Sequence, residues 1–390
     1  KVDDALRLYD QARVVRLALA DRPEADYRAE VDLARTLTAA GLLHAADNYN
    51  PAAALSMLSE AISRLEQSGN THHSVRGAIA LARYASGWAN FLLSRNQEAL
   101  VALDEARAIL AELVVTNPGE VDYWRHLSWC DNDTGVIRAK QQRTADALEA
   151  YGRSRRLKEK IARDHPEVVE YQRDLALTVG NIGHRLEENN QLPEALAEYA
   201  QARDMLQRIS SANPAVTDLQ SRFALCNIDI ACINAKLTRF DEAIAALDSA
   251  KDLYQKLNSI DPDRPYFTIQ VAYCFALRGR FRAESGRPAE AVPDLREGIR
   301  LYGNNVLSDT EDRIELPRAL AQLSGFGKAG RHGVTEAEAV AFAGKAVCIL
   351  RDSVDTDAPR WIKGGFLKQP VFDPLRDREA TKYGFFFKNT

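Results

Sequence analysis

Long apolar runs are missing from this sequence. No stretch of about 18 uncharged apolar residues occurs, so no segment reads as a membrane-spanning helix. Glycine and proline are sparse, 21 and 14 of 390 residues, which leaves little of the turn chemistry that a strand-rich fold needs. Cysteine is scarce and odd in number, at five with no CxxC pair. That count argues against a disulfide framework and for reduced thiols in a cytoplasmic setting. An excess of one charge is absent too: the net charge is −4 with both signs interspersed. No broad basic field is offered to nucleic acid or to anionic lipid, so neither is an expected partner. The chain opens on Lys1-Val2-Asp3-Asp4, with neither a methionine nor a signal-like apolar run, and reads as a segment of something longer. What remains is an ordinary soluble composition, 46 % hydrophobic and 27 % charged, on a chain long enough for several domains or a repeat array.

A repeat is what the sequence holds. Asn117-Pro118, His165-Pro166, Asn213-Pro214 and Asp261-Pro262 recur every 48 residues. Proline excludes its predecessor from the α region, so each pair marks a break between helical units. Between the breaks the register is strict. Ala99, Ala147, Ala195, Ala243, Ala291 and Ala339 are also 48 apart. Each is preceded by an acid (Glu98, Asp146, Glu194, Glu242, Glu290, Glu338) and followed by an aliphatic residue. Seven residues on stands a second small side chain, Ala106, Ser154, Ala202, Ala250, Gly298 or Ala346. Twelve residues before the alanine come Gly87, Gly135, Gly183, Ala231, Gly279 and Gly327.

Each column has a physical reading. Small residues seven apart share one helix side and admit a close neighbour. The acids fall in the first turn of a helix, at the positive end of its dipole, and Pro193 and Pro288 suit that first turn. Every unit is therefore expected to hold a first helix (A), a tight polar turn and a second helix (B). Ala39, Ala54 and Ala61 extend the columns toward the N-terminus, with an insertion at residues 47–50. Ala5 and Ala12 behind Asp4 read as helix B of a unit without its helix A. The expected organisation is a half-unit over residues 1–22, about seven helix pairs up to residue 353, and a capping tail over 354–390.

The columns resemble the tetratricopeptide (TPR) signature: small at Gly183, alanine at Ala195, aromatic at Tyr199, small at Ala202. That resemblance implies an all-α, TPR-like α-solenoid, a right-handed superhelix of antiparallel helix pairs. A standard unit is about 34 residues, so both helices are lengthened here. The run Asp164-His165-Pro166-Glu167-Val168-Val169-Glu170-Tyr171-Gln172-Arg173-Asp174 through Gly183 is similar to the long-unit arrays that follow the catalytic domain of many large bacterial serine/threonine protein kinases. The tail Phe366-Leu367-Lys368-Gln369-Pro370-Val371-Phe372-Asp373-Pro374-Leu375-Arg376 resembles their closing motif, with Gln369 in place of an Asp and an aromatic rather than Leu-rich end. Kinase motifs are absent from the segment. The resemblance implies a non-catalytic scaffold that binds substrates or regulators for a kinase domain upstream; a free-standing adaptor of the same fold is the alternative. Trp361, Phe366, Phe372 and Leu375 are expected to cover the end of the last pair, because terminal repeats need a cap.

Signals for chemistry are weak. Gly325-Phe326-Gly327-Lys328-Ala329-Gly330 spells GxGxxG, but no strand precedes it and Gly327 belongs to a repeat column, so packing accounts for it. Cys130, Cys226 and Cys274 share one repeat position with Thr178, which reads as a column for small side chains. Cys232 has no second ligand at metal-site spacing, and the seven histidines are scattered, His72-His73 in an expected turn. No catalytic residue, cofactor or metal site is expected. Binding is expected in the concave groove lined by A helices, with a protein or peptide as partner. Side chains one and four residues beyond the small column vary from unit to unit, as a binding face or a plain solvated face would. The candidates are Trp88, Phe91, His184, Arg280 and Lys328, with Asn132, Asp133, Asn181 and Asp229 as polar groups suited to a peptide backbone.

Overall fold

At Asn117, His165 and Asp261 the chain leaves helix with φ −133° in a computed structural model, and the Asn213 amide closes the end of its helix on the Ile209 carbonyl. The structure describes residues 2–46, 50–303, 310–327, 332–363, 370–373 and 375. Among them are fifteen α-helices and no strand. In order they are α1 (Val2–Ala20), α2 (Tyr27–Ala46), α3 (Pro51–Gln67), α4 (His73–Leu92), α5 (Asn96–Thr116), α6 (Val121–Lys140), α7 (Thr144–Asp164), α8 (Val169–Glu188), α9 (Leu192–Ala212), α10 (Thr217–Lys236), α11 (Phe240–Ile260), α12 (Pro265–Glu284), α13 (Pro288–Tyr302), α14 (Thr310–Gly327) and α15 (Glu336–Lys363). Even-numbered helices carry the glycine column and are the A type; odd-numbered ones carry the alanine pair and are the B type.

Five A-to-B turns, from α4–α5 to α12–α13, share one device. Ser94, Gln142, Asn190, Thr238 and Gly286 sit at φ values from 58° to 80°, 48 residues apart. The amide of the next residue then donates to a carbonyl five residues back: Arg95 to Asn90, Arg143 to Arg138, Gln191 to Leu186, Arg239 to Asn234 and Arg287 to Arg282, all at 2.8–2.9 Å. This is a Schellman cap, which closes the helix end with backbone groups alone. Glycine, the residue best suited to that conformation, occupies it only at Gly286 of these five.

Close approach within a pair rests on the small columns. A Cβ on Gly87 would lie 2.9 Å from Leu103 Cγ, one on Gly135 2.7 Å from the Tyr151 ring, and one on Gly279 2.7 Å from Leu295 Cγ. From the other side, a Cβ on Gly298 would meet the α12 backbone at Ala272 and Ala276, both at 3.1 Å. In the second unit of the sequence this role belongs to Gly41, not Ala39: Gly41 faces Leu58 and the Ala54 carbonyl as Gly87 faces Leu103 and the Ala99 carbonyl. The A-to-B connection is therefore one residue longer there than in its neighbours.

The chain divides into two compact units, residues 1–191 and 192–390. In unit 1, α2 packs on α3, α4 on α5 and α6 on α7, while α1 lies on α2 and α8 on α7. Its apolar core falls into separate clusters. In unit 2, α10 packs on α11, α12 on α13 and α14 on α15. There one large apolar cluster runs from Ala224 to Leu375 and includes Tyr254, Phe267, Phe281 and Tyr302, with the buried residues of α9 outside it. Helix α15 continues to Lys363, beyond the point where the repeat pattern fades from the sequence. The 3-10 turn Pro370–Phe372 lies on α14 and buries Phe372 in the unit 2 core, as Leu375 is buried. The side chains of Trp361 and Phe366 lie outside the described residues.

Candidate functional site

One face of α6 gathers side chains that a plain packing surface does not need. Asp122, Arg125, His126, Trp129, Asn132 and Asp133 stand at positions i, i+3, i+4, i+7, i+10 and i+11 and so share a side of the helix. At the start of this face lies a cleft of about 370 Å³ between α2, α4 and α6, lined by Arg35, Ser74, Gly77, Leu81, Tyr123 and His126 among others. All three helices are of the A type.

Sequence dictates how the cleft is built. Gly77 has no side chain, and a Cβ there would come within 2.5 Å of the Tyr123 ring. With glycine in place the ring lies flat against α4, and its hydroxyl donates to the His73 carbonyl at 3.1 Å and meets His73 Nδ1 at 2.9 Å. His126 stands one turn on, its ring 5.0 Å from that of Trp129. Burial holds the imidazole neutral, pushing its pKa down to about 4, with Asp122 opposing and Arg125 and Arg35 assisting. Its Nδ1 is buried without a hydrogen-bond partner in the protein. Arg35 at the rim makes no hydrogen bond or ion pair among the described residues. Arg125, by contrast, is fixed: it pairs with Glu170 at 3.0 Å and Asp122 at 3.2 Å, and its guanidinium lies 5.1 Å from both the Trp129 and Tyr171 rings.

Farther along α6 the face becomes a polar cluster. Tyr84 donates to Asp133 at 2.9 Å, Asn132 donates to the other Asp133 oxygen at 3.0 Å, and Thr178 donates to Asn132 at 3.3 Å. Lys158 reaches the Thr178 hydroxyl at 2.8 Å from inside the core. Desolvation raises the Asp133 pKa and lowers that of Lys158, each tempered by the other's charge. Asn132 and Asp133, both half-buried, are thus brought together with Tyr84.

The other sequence candidates are distributed as follows. Trp88 and Phe91 are neighbours on α4, half-buried, with rings 5.5 Å apart and Lys140 Nζ 4.8 Å from the Phe91 ring. On α8, Asn181 is half-buried, and His184 is exposed beside Glu187 and Glu188. Asp229 is half-buried on α10 of unit 2. Arg280 is engaged inward, paired at 2.7 Å with the buried Glu315. Lys328 lies outside the described residues. The residues not singled out from sequence are Arg35, Tyr123, Arg125, His126 and Trp129. For the four on α6 the signal was the helical spacing of polar and aromatic residues over 122–129, in the half of the A helix remote from the glycine column; Arg35 on α2 carried none.

The residues behind the weak motifs are placed as follows. Among the described residues no group of three or more His, Cys, Asp or Glu side chains is placed to hold a metal. Cys130, Cys226 and Cys274 are buried free thiols, and burial raises their pKa values, that of Cys226 to about 12, so they are poor nucleophiles. A Cβ on Gly327 would meet Ala339 of α15 at 2.5 Å, which makes this glycine a packing residue. No described helix is long and apolar enough to cross a membrane.

No protein-family model matches the sequence, and no curated protein matches it. Solved structures do resemble it in shape. The apo form of RapI is 13 % identical with a TM-score of 0.60, covering 98 % of this chain and 97 % of its own. The apo quorum sensor NprR from B. thuringiensis is 16 % identical with a TM-score of 0.54, covering 90 % and 83 %. A signal-transduction ATPase with a tetratricopeptide repeat sensor, PH0952 from Pyrococcus horikoshii, is 12 % identical with a TM-score of 0.53; the match covers 90 % of this chain and 49 % of that one. The fold is TPR-like and all-α. At these identities the likeness extends to the fold alone.

Proposed function

We propose that this chain is a non-catalytic scaffold that holds a protein or peptide against the A-helix face of unit 1. The observation that carries this reading is the cleft between α2, α4 and α6, where an imidazole nitrogen (His126 Nδ1) is buried without a partner beside the exposed guanidinium of Arg35. Buried polar atoms are nearly always satisfied in folded proteins; a ligand would satisfy His126 Nδ1 and could pair with Arg35. The aromatic groups Tyr84, Trp88 and Trp129 and the amides Asn132 and Asn181 extend the same face, and aromatic side chains beside polar ones are the usual stuff of binding hot spots. The protein acts in the cytoplasm, as the regulator- or substrate-binding part of a bacterial serine/threonine kinase. Supporting that parentage are the run over residues 164–183 and the closing motif over 366–376, and PH0952 offers a case of a tetratricopeptide sensor joined to a signalling enzyme. A free-standing adaptor of the same fold is the second reading.

A displayed random-peptide library selected on the purified chain tests the scaffold reading. Selected peptides should lose affinity at least 10-fold on Arg35→Glu, Trp129→Ala and Trp88→Ala, and keep it on the exposed α11 change Lys256→Glu. Peptides indifferent to all three changes on the face would overturn the assignment. Phosphotransfer activity encoded ahead of Lys1 in the same gene decides between kinase and adaptor.

A further inference from the structure

The cleft between α2, α4 and α6 lies at a step in the repeat register. Counted back from the glycine column, three face positions hold Asp122, Arg125 and His126 in α6 and Glu170, Arg173 and Asp174 in α8. In α4 the same positions hold only Ser74, Gly77 and Ala78. Small side chains there leave the room, and Leu81 and Tyr123 wall it with carbon. Charge around the opening cancels: Arg35 and Arg125 stand against Glu120 and Asp122, and Arg125 is already paired with Asp122. A charged occupant of either sign would meet its like, a cost that a neutral one is spared. His126 Nδ1 is buried and unpartnered beside this space. Burial keeps the imidazole neutral, so with its proton on Nε2 it holds a lone pair at Nδ1 and calls for a donor. A turn of the ring about its soft χ2 angle presents that nitrogen to the cleft.

We infer, resting on the peptide-binding reading of this face, that the cleft is a specificity pocket for one tyrosine side chain of the bound peptide. Its ring would lie along Ala78, Leu81 and Tyr123, and its hydroxyl would donate to His126 Nδ1. Phenylalanine would fill the same walls but leave the imidazole nitrogen unsatisfied, which a buried polar atom rarely tolerates. Glutamate would crowd Glu120 and Asp122. Tryptophan carries its N–H on the flank of the ring system, whereas a donor at the far tip suits a buried acceptor. An aromatic occupant also gains from the Tyr123 ring beside it and from the Arg35 cation at the rim.

The test uses peptides selected on the full chain from a displayed random library, with affinities read by fluorescence anisotropy. Selected peptides should share a tyrosine. Its change to phenylalanine should weaken binding about 10-fold or more, since a site built around a hydroxyl rejects the analogue that lacks it. On the His126→Phe protein most of that penalty should vanish, and His126→Gln, which keeps an acceptor, should restore part of it. Peptides that bind this face but need no tyrosine would overturn the inference and leave the scaffold reading standing. A tyrosine penalty untouched by His126→Phe would do the same. A library that yields no binder would overturn both.

Discussion

Lys158 in unit 1 and Tyr254 in unit 2 occupy the same place in the repeat, eleven residues after the column alanine. Leu65, Leu110, Leu206, Tyr302 and Leu350 fill it elsewhere, all nearly inaccessible. Tyr254 fills its site with a ring and satisfies its hydroxyl on the Ser221 carbonyl at 3.1 Å, inside one continuous apolar cluster. Lys158 brings an amine into the same space, and Thr178, Asn132, Asp133 and Tyr84 become polar around it. Both units also bury charge in ion pairs: Arg107 and Arg153 converge on Asp131 in unit 1, and in unit 2 Arg278 and Arg282 converge on Asp294 while Arg280 meets Glu315. One frame therefore supports a core of packed rings and a core interrupted by polar groups. The interrupted one lies beneath the face with the cleft.

The largest way to break this contrast is Tyr254→Ala. Emptying that site should cost about 3–5 kcal/mol, as for other buried aromatic truncations. Hydrogen exchange should show the loss across α10–α15; confinement of the loss to α11 would mean that the continuous cluster is not a cooperative unit. Acidification comes next and should strike unit 1. The folded state holds His126 at about 4, below the ordinary value near 6.5. Unfolding therefore takes up a proton between those values, and stability falls as pH drops from about 6.5 to about 4, by roughly 2–3 kcal/mol. Urea titrations at pH 7 and pH 4.5 should show this slope, and His126→Phe should remove its share of it. The smallest effect expected is from Lys158→Met, which restores an apolar residue to the column and should stabilise the protein by about 1 kcal/mol at neutral pH. The lowered lysine pKa fixes the sign. The gain is full below that lowered value and fades as pH rises toward the ordinary value of about 10.4, where the unfolded lysine also loses its proton. A destabilised Lys158→Met would instead make the amine a net support of the Asn132–Asp133 cluster.

Helix positions and type were legible in the sequence because they rest on local rules. The Xaa-Pro breaks stop helices wherever they occur, and a small residue facing a large one is needed in every close pair. The slip from Ala39 to Gly41 came where an insertion at residues 47–50 upset the count, since only packing on Leu58 reveals which residue is opposite. The candidate site was harder to read. Positions near the glycine column led to Trp88 and Phe91, whereas the cleft forms at the other end of the A helices, from residues of three units. Arg280 looked like a groove residue because Glu315, the acid it pairs with, is 35 residues away and in no recurrent column. Repeat periodicity tells which positions match; it is silent on which side chains find each other across units.

The left-handed residues at Ser94, Gln142, Asn190 and Thr238 have a consequence for how such a chain can change length. Each turn is closed by main-chain groups, so no particular side chain is demanded there, and one junction is interchangeable with the next. Excising residues 94–141 would join Leu93 to Gln142 and recreate the same junction, one unit shorter. Duplication in steps of 48 residues would do the reverse. The gene could gain or lose whole units by recombination in register, while the faces of the A helices were free to diverge in between.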